Sequence, residues 1–313
     1  MNGPAATSVS GENAFTRLRV NSRGAASLDA LRERLRGREV ILLDYPVYYN
    51  VGDLLIFLGL LQMFEDEGVK VRLAQTHHSH SIRKIRSALG PDTVILFHGG
   101  GNFGDLYPKL HGDRLEVFTA FCDRELIVLP QTIHFRDEAA CEETHRIARA
   151  CTNLTILVRD EESRAIAESF GARVGVCPDT AHYLKVPANT RRDGSTLLFR
   201  RRDFETQVDE EGFDWDEIIA PRDKLVLQAC KVLAKAAGAT PTQALDDLLL
   251  SAWTAQCRHI FDKAVAKFSG FAQIDMDRLH AVILACLMEM PMVYGDTRFG
   301  KISRYREAWL EDA

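Results

Sequence analysis

Thr93-Val94-Ile95-Leu96-Phe97-His98-Gly99-Gly100-Gly101-Asn102-Phe103-Gly104-Asp105 is an apolar run that breaks into three consecutive glycines. The run reads as a buried strand. The glycines read as a strand-to-helix turn stripped of side chains, where a ligand can lie against bare N–H groups between His98 and Asn102. A tight turn that needs positive φ and binds nothing fits the same residues. A second site-like element far down the chain, Asp277-Arg278-Leu279-His280, tips the balance toward a ligand site.

Outward from this stretch the pattern repeats. Glu39–Asp44, Val69–Leu73, Leu126–Leu129, Leu154–Val158 and Arg173–Val176 read as further strands, the third stopping at Pro130-Gln131 and the last at Pro178-Asp179. Helical segments alternate with them, at Leu28–Leu35, Leu54–Phe64, Ser81–Leu89, Arg114–Arg124, Cys141–Cys151 and Glu161–Phe170. Continuous β-branched and leucine runs between helices indicate a parallel sheet covered on both faces. A polar break, Val186–Gly194, reads as a linker. A second unit follows, with strands at Ser195–Phe199, Phe271–Met276 and Met292–Tyr294. Its helices are expected at Lys224–Ala236, Pro241–Ser251, Gln256–Gly270, Arg278–Met290 and Ile302–Leu310. The expected fold is α/β, with two Rossmann-like domains facing a cleft and ligands beyond the carboxyl ends of the strands. The expected division is a disordered tail over residues 1–27, a first domain over 28–188 and a second over 189–313, with the last helix packing back on the first.

The bulk properties narrow the function classes. With 313 residues, 46% apolar and 27% charged, the chain suits two ordinary domains of a globular protein. A net charge of −5 gives no general nucleic-acid signal. Seven scattered cysteines without a C-x-x-C pair argue against a disulfide framework or zinc ribbon and fit a reducing cytoplasm. The N-terminus lacks an apolar signal core. The most apolar segments, Leu54–Leu61 and Ala281–Tyr294, are too short to span a bilayer, so membrane work would be done from the surface. His77, His78 and His80 match no metal-ligand spacing, and no metal site is expected.

Several residues could carry chemistry. Asn50 and Asp53 lie at the end of the first strand, where they can accept sugar hydroxyls, and Asp53 is also placed to cap the helix Leu54–Phe64. Gln131 ends another strand with a neutral amide. Arg159-Asp160-Glu161-Glu162-Ser163 reads as an ordinary acidic helix start. Arg200-Arg201-Arg202-Asp203-Phe204-Glu205 sets three guanidiniums at a strand end, suited to a phosphate or carboxylate. With Asp277 as cap, Arg278 and His280 fall in a first helical turn, where anions are attracted and a histidine suits general acid catalysis. Lys301, after Gly300, adds a further cation.

Taken in order, the series resembles one family. Its members are Asn50-x-Gly52-Asp53, His98-Gly99-Gly100-Gly101-Asn102, Pro130-Gln131, Arg159-Asp160-x-x-Ser163, Pro178-Asp179, Arg201-x-Asp203-x-Glu205, Asp277-Arg278-Leu279-His280 and Gly300-Lys301-x-Ser303. That set resembles the polysaccharide pyruvyl transferases of bacterial exopolysaccharide and capsule synthesis, from about Asp44 to Trp309. The resemblance implies a plan like the GT-B glycosyltransferases, phosphoenolpyruvate as donor, no organic cofactor, and a sugar acceptor, free or lipid-linked. It implies a cytoplasmic enzyme, with contact at the inner face of the membrane as an option. Its Arg-Leu-His element falls on Arg278, Leu279 and His280, and its Arg-Thr-Asp segment on Arg201, Arg202 and Asp203. Met276 stands where the family has Thr or Ser, and Arg202 where it has a small polar residue.

The residues then divide by role. His280 and Arg278 are the catalytic candidates. Arg201, Arg202, Arg278 and Lys301 are the donor-binding candidates. Asn50, Asp53, His98, Gly100, Gly101, Asn102 and Gln131 form the acceptor wall, where one of the acids or His98 would serve as base. Two alternatives stand beside this reading: a nucleotide-sugar glycosyltransferase, and a non-catalytic carbohydrate-binding subunit.

Overall fold

The structure is a computed structural model that describes residues 15–202, 211–296 and 300–313. Asp203, Phe204 and Glu205 of the basic segment, and the tail before residue 15, lie outside the described residues.

The chain runs β1 (Leu18–Val20), α1 (Ser22–Leu35), β2 (Glu39–Leu43), α2 (Val51–Asp66), β3 (Lys70–Gln75), α3 (Ile82–Ala88), β4 (Val94–Phe97) and β5 (Gly100–Gly104). It continues through α4 (Pro108–Ala120), β6 (Leu126–His134), α5 (Glu138–Arg149), β7 (Leu154–Val158), α6 (Glu161–Ser169) and β8 (Arg173–Val176). The remainder is β9 (Thr196–Phe199), α7 (Pro221–Ala239), α8 (Ala244–Ser269), β10 (Gln273–Met276), α9 (Leu279–Leu287), β11 (Met292–Tyr294), α10 (Lys301–Trp309) and β12 (Leu310–Asp312). The result is a mixed α/β fold around a parallel sheet ordered β3-β2-β4-β6-β7-β8, with β5 added alongside β6. A smaller parallel sheet is ordered β11-β10-β9.

The strand order places the site. From β2 the chain steps outward to β3 and returns on the other side as β4, so the direction of winding reverses between β2 and β4. Loops leaving two such strands diverge and open a crevice beyond their carboxyl ends. The loop after β2 carries Asn50, and the loop after β4 carries the glycines.

The two most apolar segments of the sequence become the helices between the sheets. In α2, every residue from Leu54 to Leu60 is buried, and in α9 every residue from Ala281 to Cys286. A helix apolar all round has no solvent face and must be enclosed. These two pack on each other, and one core runs from Val40 and Leu42 through them to Phe199, Trp253 and Ile274. Lys84 of α3, almost fully buried, adds a polar tie by donating to Asp246 of α8 and to the Ala237 carbonyl. No helix among the described residues is long and apolar enough to cross a membrane.

Four expectations are corrected. Residues 18–27 lie within β1 and α1: β1 pairs antiparallel with β12 at the other end of the chain, and Asn21 caps α1. The glycine turn leads into β5, whose Gly100 and Gly104 have φ of 125° and 123°. The adjacent strand passes through Pro130 because the β6–β7 register shifts between Val128 and Gln131, and a residue without N–H is tolerated at such a bulge. The helices expected at Pro241–Ser251 and Gln256–Gly270 are one, since no glycine or proline interrupts Ala252-Trp253-Thr254-Ala255.

Candidate active site

The N-terminal turns of α2 and α9 meet. His280, second residue of α9, lays its imidazole on Gly52: a Cβ at position 52 would come within 2.7 Å of the ring Cγ. Two helix N-termini, each a positive dipole end, therefore converge on one histidine. Nε2 of His280 lies 3.5 Å from Oδ2 of Asp179.

Asp179 is fully buried just after β8 and joins both halves of the chain. It accepts two hydrogen bonds from Nη1 of Arg159, at 3.0 and 2.9 Å. Its backbone N–H donates to the Tyr305 hydroxyl of α10 at 3.0 Å, and that hydroxyl also meets Nε2 of His182 at 3.0 Å. Trp309 of α10 donates to the Arg159 carbonyl, so this last helix is fastened to the first sheet at two points. Burial would raise the Asp179 pKa, but Arg159 and His280 outweigh it and hold the carboxyl well below the ordinary range.

Asp53 behaves in the opposite way. It sits in the first turn of α2 and takes a hydrogen bond from the Tyr48 hydroxyl at 3.0 Å. Its Oδ1 lies 3.3 Å from where a Gly100 side chain would begin, and Nη2 of Arg159 lies 3.4 Å from the same point on Gly101. Burial raises its pKa despite His280, Tyr48 and Arg159. The two neighbouring carboxyls are thus pushed in opposite directions, Asp179 toward the anion and Asp53 toward the protonated form.

The acceptor wall needs correction. Asn50, not Asp53, caps α2, accepting from the Gly52 N–H at 3.1 Å. Gln131 has no exposed surface: its amide donates to the His98 carbonyl and to Oδ1 of Asn102, and its oxygen accepts the Asn102 N–H. Asn102 also accepts from Arg114, which is ion-paired with Asp44. These residues brace the glycine loop from beneath. His98 is 1% exposed beside Phe57, and burial pushes its pKa down to about 3, which removes it as a base toward a surface hydroxyl. Asn50, Asp53, Gly100 and Gly101 remain as candidates for that wall.

On the other side, the register pairs Phe199 with Met276, which brings Arg201 and Arg278 side by side just past the ends of β9 and β10. Arg200 turns away into a two-point ion pair with Asp275, at 2.9 and 2.7 Å. Arg202 is exposed and held by Glu217. Arg278 is itself the N-cap of α9, while Asp277 accepts the Arg201 N–H at 2.8 Å. Buried Asp214 orients Arg278 at 2.6 Å and also accepts the Arg202 and Trp215 N–H groups. Lys301 opens α10, one turn before Tyr305. Tyr305, Tyr48 and Asp214 carry no functional signal in the sequence, whereas Asp179 and Arg159 enter there only as members of the family series, with no role of their own.

Comparison with known proteins gives the family. Residues 50–235 match the family described as polysaccharide pyruvyl transferase. EpsO of Bacillus subtilis (strain 168), named as a candidate pyruvyl transferase, is 30% identical over 91% of this chain and 92% of its own. Pyruvyl transferase 1 of Schizosaccharomyces pombe is 28% identical over 87% of this chain and 70% of its own. The crystal structure of a functionally uncharacterised Klebsiella pneumoniae protein is similar in fold alone, with a TM-score of 0.52 and 16% identity over 92% of this chain and 94% of that one. The chain belongs to the polysaccharide pyruvyl transferase family and is an enzyme of that kind.

Proposed function

We propose that the enzyme transfers the pyruvyl group of phosphoenolpyruvate to two hydroxyls of one polysaccharide sugar as a cyclic ketal. The seating of His280, between two helix N-termini and beside Arg278, carries this reading. Arg201, Arg278 and Lys301 hold the donor's phosphate and carboxylate. His280 delivers a proton to the methylene carbon, C3, so that positive character develops at C2. Asp53, its pKa raised by burial, takes the proton of the first hydroxyl as that oxygen bonds to C2. The C2–O bond to phosphate breaks, the cations stabilise the departing charge, and the second hydroxyl adds with loss of its proton to the phosphate. The two hydroxyl protons thus balance one new C–H bond and one protonated phosphate. Gly100 and Gly101 let the sugar approach the backbone beside Asp53. We read the two parallel sheets, with Asp53 supplied by one half and His280 by the other, as the GT-B-like plan.

The test incubates the purified enzyme with phosphoenolpyruvate and oligosaccharide acceptors. Phosphate release should match product whose mass gains one pyruvate less one water, stable to mild base and labile to acid. A sugar transferred from a nucleotide donor, with phosphoenolpyruvate inert, would overturn the reading.

A further inference from the structure

Helix α7 has two apolar faces. One, with Leu227, Cys230, Ala234 and Ala237, is buried in the protein. The other is a row of exposed residues, Leu225, Ala229, Val232, Ala236 and Ala239, spaced by four and three in alternation. That spacing keeps them in one stripe about 21 Å long at 1.5 Å per residue. Leu225 is 72% exposed and Val232 68%, and Val226 beside them is also exposed.

A parallel row flanks the stripe at positions 224, 228, 231 and 235, occupied by Lys224, Gln228, Lys231 and Lys235. The single acid of the helix, Asp223, is buried and held by Lys263 and Gln256. Every exposed charge on α7 is therefore positive, in a chain whose net charge is −5. Among the described residues, Lys224, Lys231 and Lys235 form no ion pair, whereas several surface arginines of this protein do.

We propose that this face of α7 docks the enzyme on the surface of an anionic phospholipid bilayer. The charge pattern selects that partner. An apolar stripe bordered by lysines matches an interface that is negative at the headgroups and apolar just beneath them. A second copy of the chain suits it less, because two wholly cationic faces repel. Two large side chains and three alanines also bury far less than the about 800 Å² per partner of a stable pair. The docked enzyme lies flat along α7, held by lysine attraction with Leu225 and Val232 entering the headgroup layer.

Co-sedimentation of the full chain with vesicles tests this, using phosphatidylcholine alone or mixed equally with phosphatidylglycerol. Binding is expected on the anionic vesicles in about 0.05 M salt and should fall about tenfold in about 0.5 M salt, where screening is short-ranged. The triple variant Lys224→Glu, Lys231→Glu, Lys235→Glu should lose binding about tenfold or more. The exposed pair Leu225→Ser, Val232→Ser should weaken it with an unchanged melting temperature, which separates docking from folding. Equal binding to both vesicles, no binding, or binding that both variants retain would overturn the proposal. So would a dimer, seen by light scattering, that the Leu225/Val232 variant dissolves in a chain that ignores vesicles.

Discussion

The His280 imidazole rests on the Cα of Gly52, so the absence of a side chain at position 52 is what allows α9 to deliver its histidine to α2. A methyl group there would meet the ring Cγ at 2.7 Å, too close to coexist. Gly52→Ala should therefore displace His280, lowering turnover by about tenfold or more, with about 1–3 kcal/mol of lost stability from overpacking. Turnover beside thermal melting checks this, and wild-type turnover would mean that the ring's position is not needed.

Asp179 holds Arg159 and faces His280 from the buried floor of the site. Removing one partner of a buried pair leaves an uncompensated charge, which costs about 3–5 kcal/mol. Asp179→Asn should be destabilised on that scale, and Arg159→Met with Asp179→Leu should recover part of the loss. Neither variant should recover turnover, because His280 loses its carboxylate in both. Denaturant melts of the single and double variants give the stability arm, and a double variant with full turnover would remove Asp179 from the mechanism.

Arg278, turned toward the strand ends by Asp214, should contribute a charge-assisted hydrogen bond to the donor. Arg278→Ala should weaken phosphoenolpyruvate binding by about 1.5–3 kcal/mol. Arg278→Lys should restore only part, because a point charge lacks the planar fork. Titration calorimetry decides, and wild-type affinity in the alanine variant contradicts the assignment.

Acid should destabilise the fold through its buried histidines. Burial lowers His98 and His111 to about 3 and His182 to about 4, from an ordinary value near 6.5. Between pH 6.5 and these values the unfolded chain binds protons that the folded chain refuses, so stability drops as pH falls through that window. Melting temperature should decline steadily from pH 7 to pH 5, and His98→Leu should flatten part of the decline. An identical slope in the variant would place the acid sensitivity elsewhere.

Much of this fold is written locally. β2, β4, β7 and β8 coincide with their apolar runs, and the all-apolar character of α2 and α9 announces helices enclosed on every side. Gly52, Asp53, Arg278 and His280 were legible because strand ends and helix starts carry recognisable residue types. Tyr305 and Asp214 were not, since their roles come from contacts between segments up to 126 positions apart. His98, Asn102 and Gln131 turn inward for a related reason. A polar residue at a strand end can turn into the interior as readily as outward, and the buried Arg114–Asp44 pair that draws Asn102 and Gln131 inward has no local signature. β5 was hidden because five residues rich in glycine show no strand pattern.

The account rests most heavily on His280, and the decisive measurement is ketal-forming turnover of His280→Gln, followed as phosphate release coupled to pyruvylated product. General acid catalysis contributes about 10²–10⁴-fold, so the variant should slow by that factor while melting like the wild type and still binding phosphoenolpyruvate through Arg201 and Arg278. Turnover at the wild-type rate in a folded His280→Gln enzyme would contradict the mechanism and leave Asp53 as the proton donor.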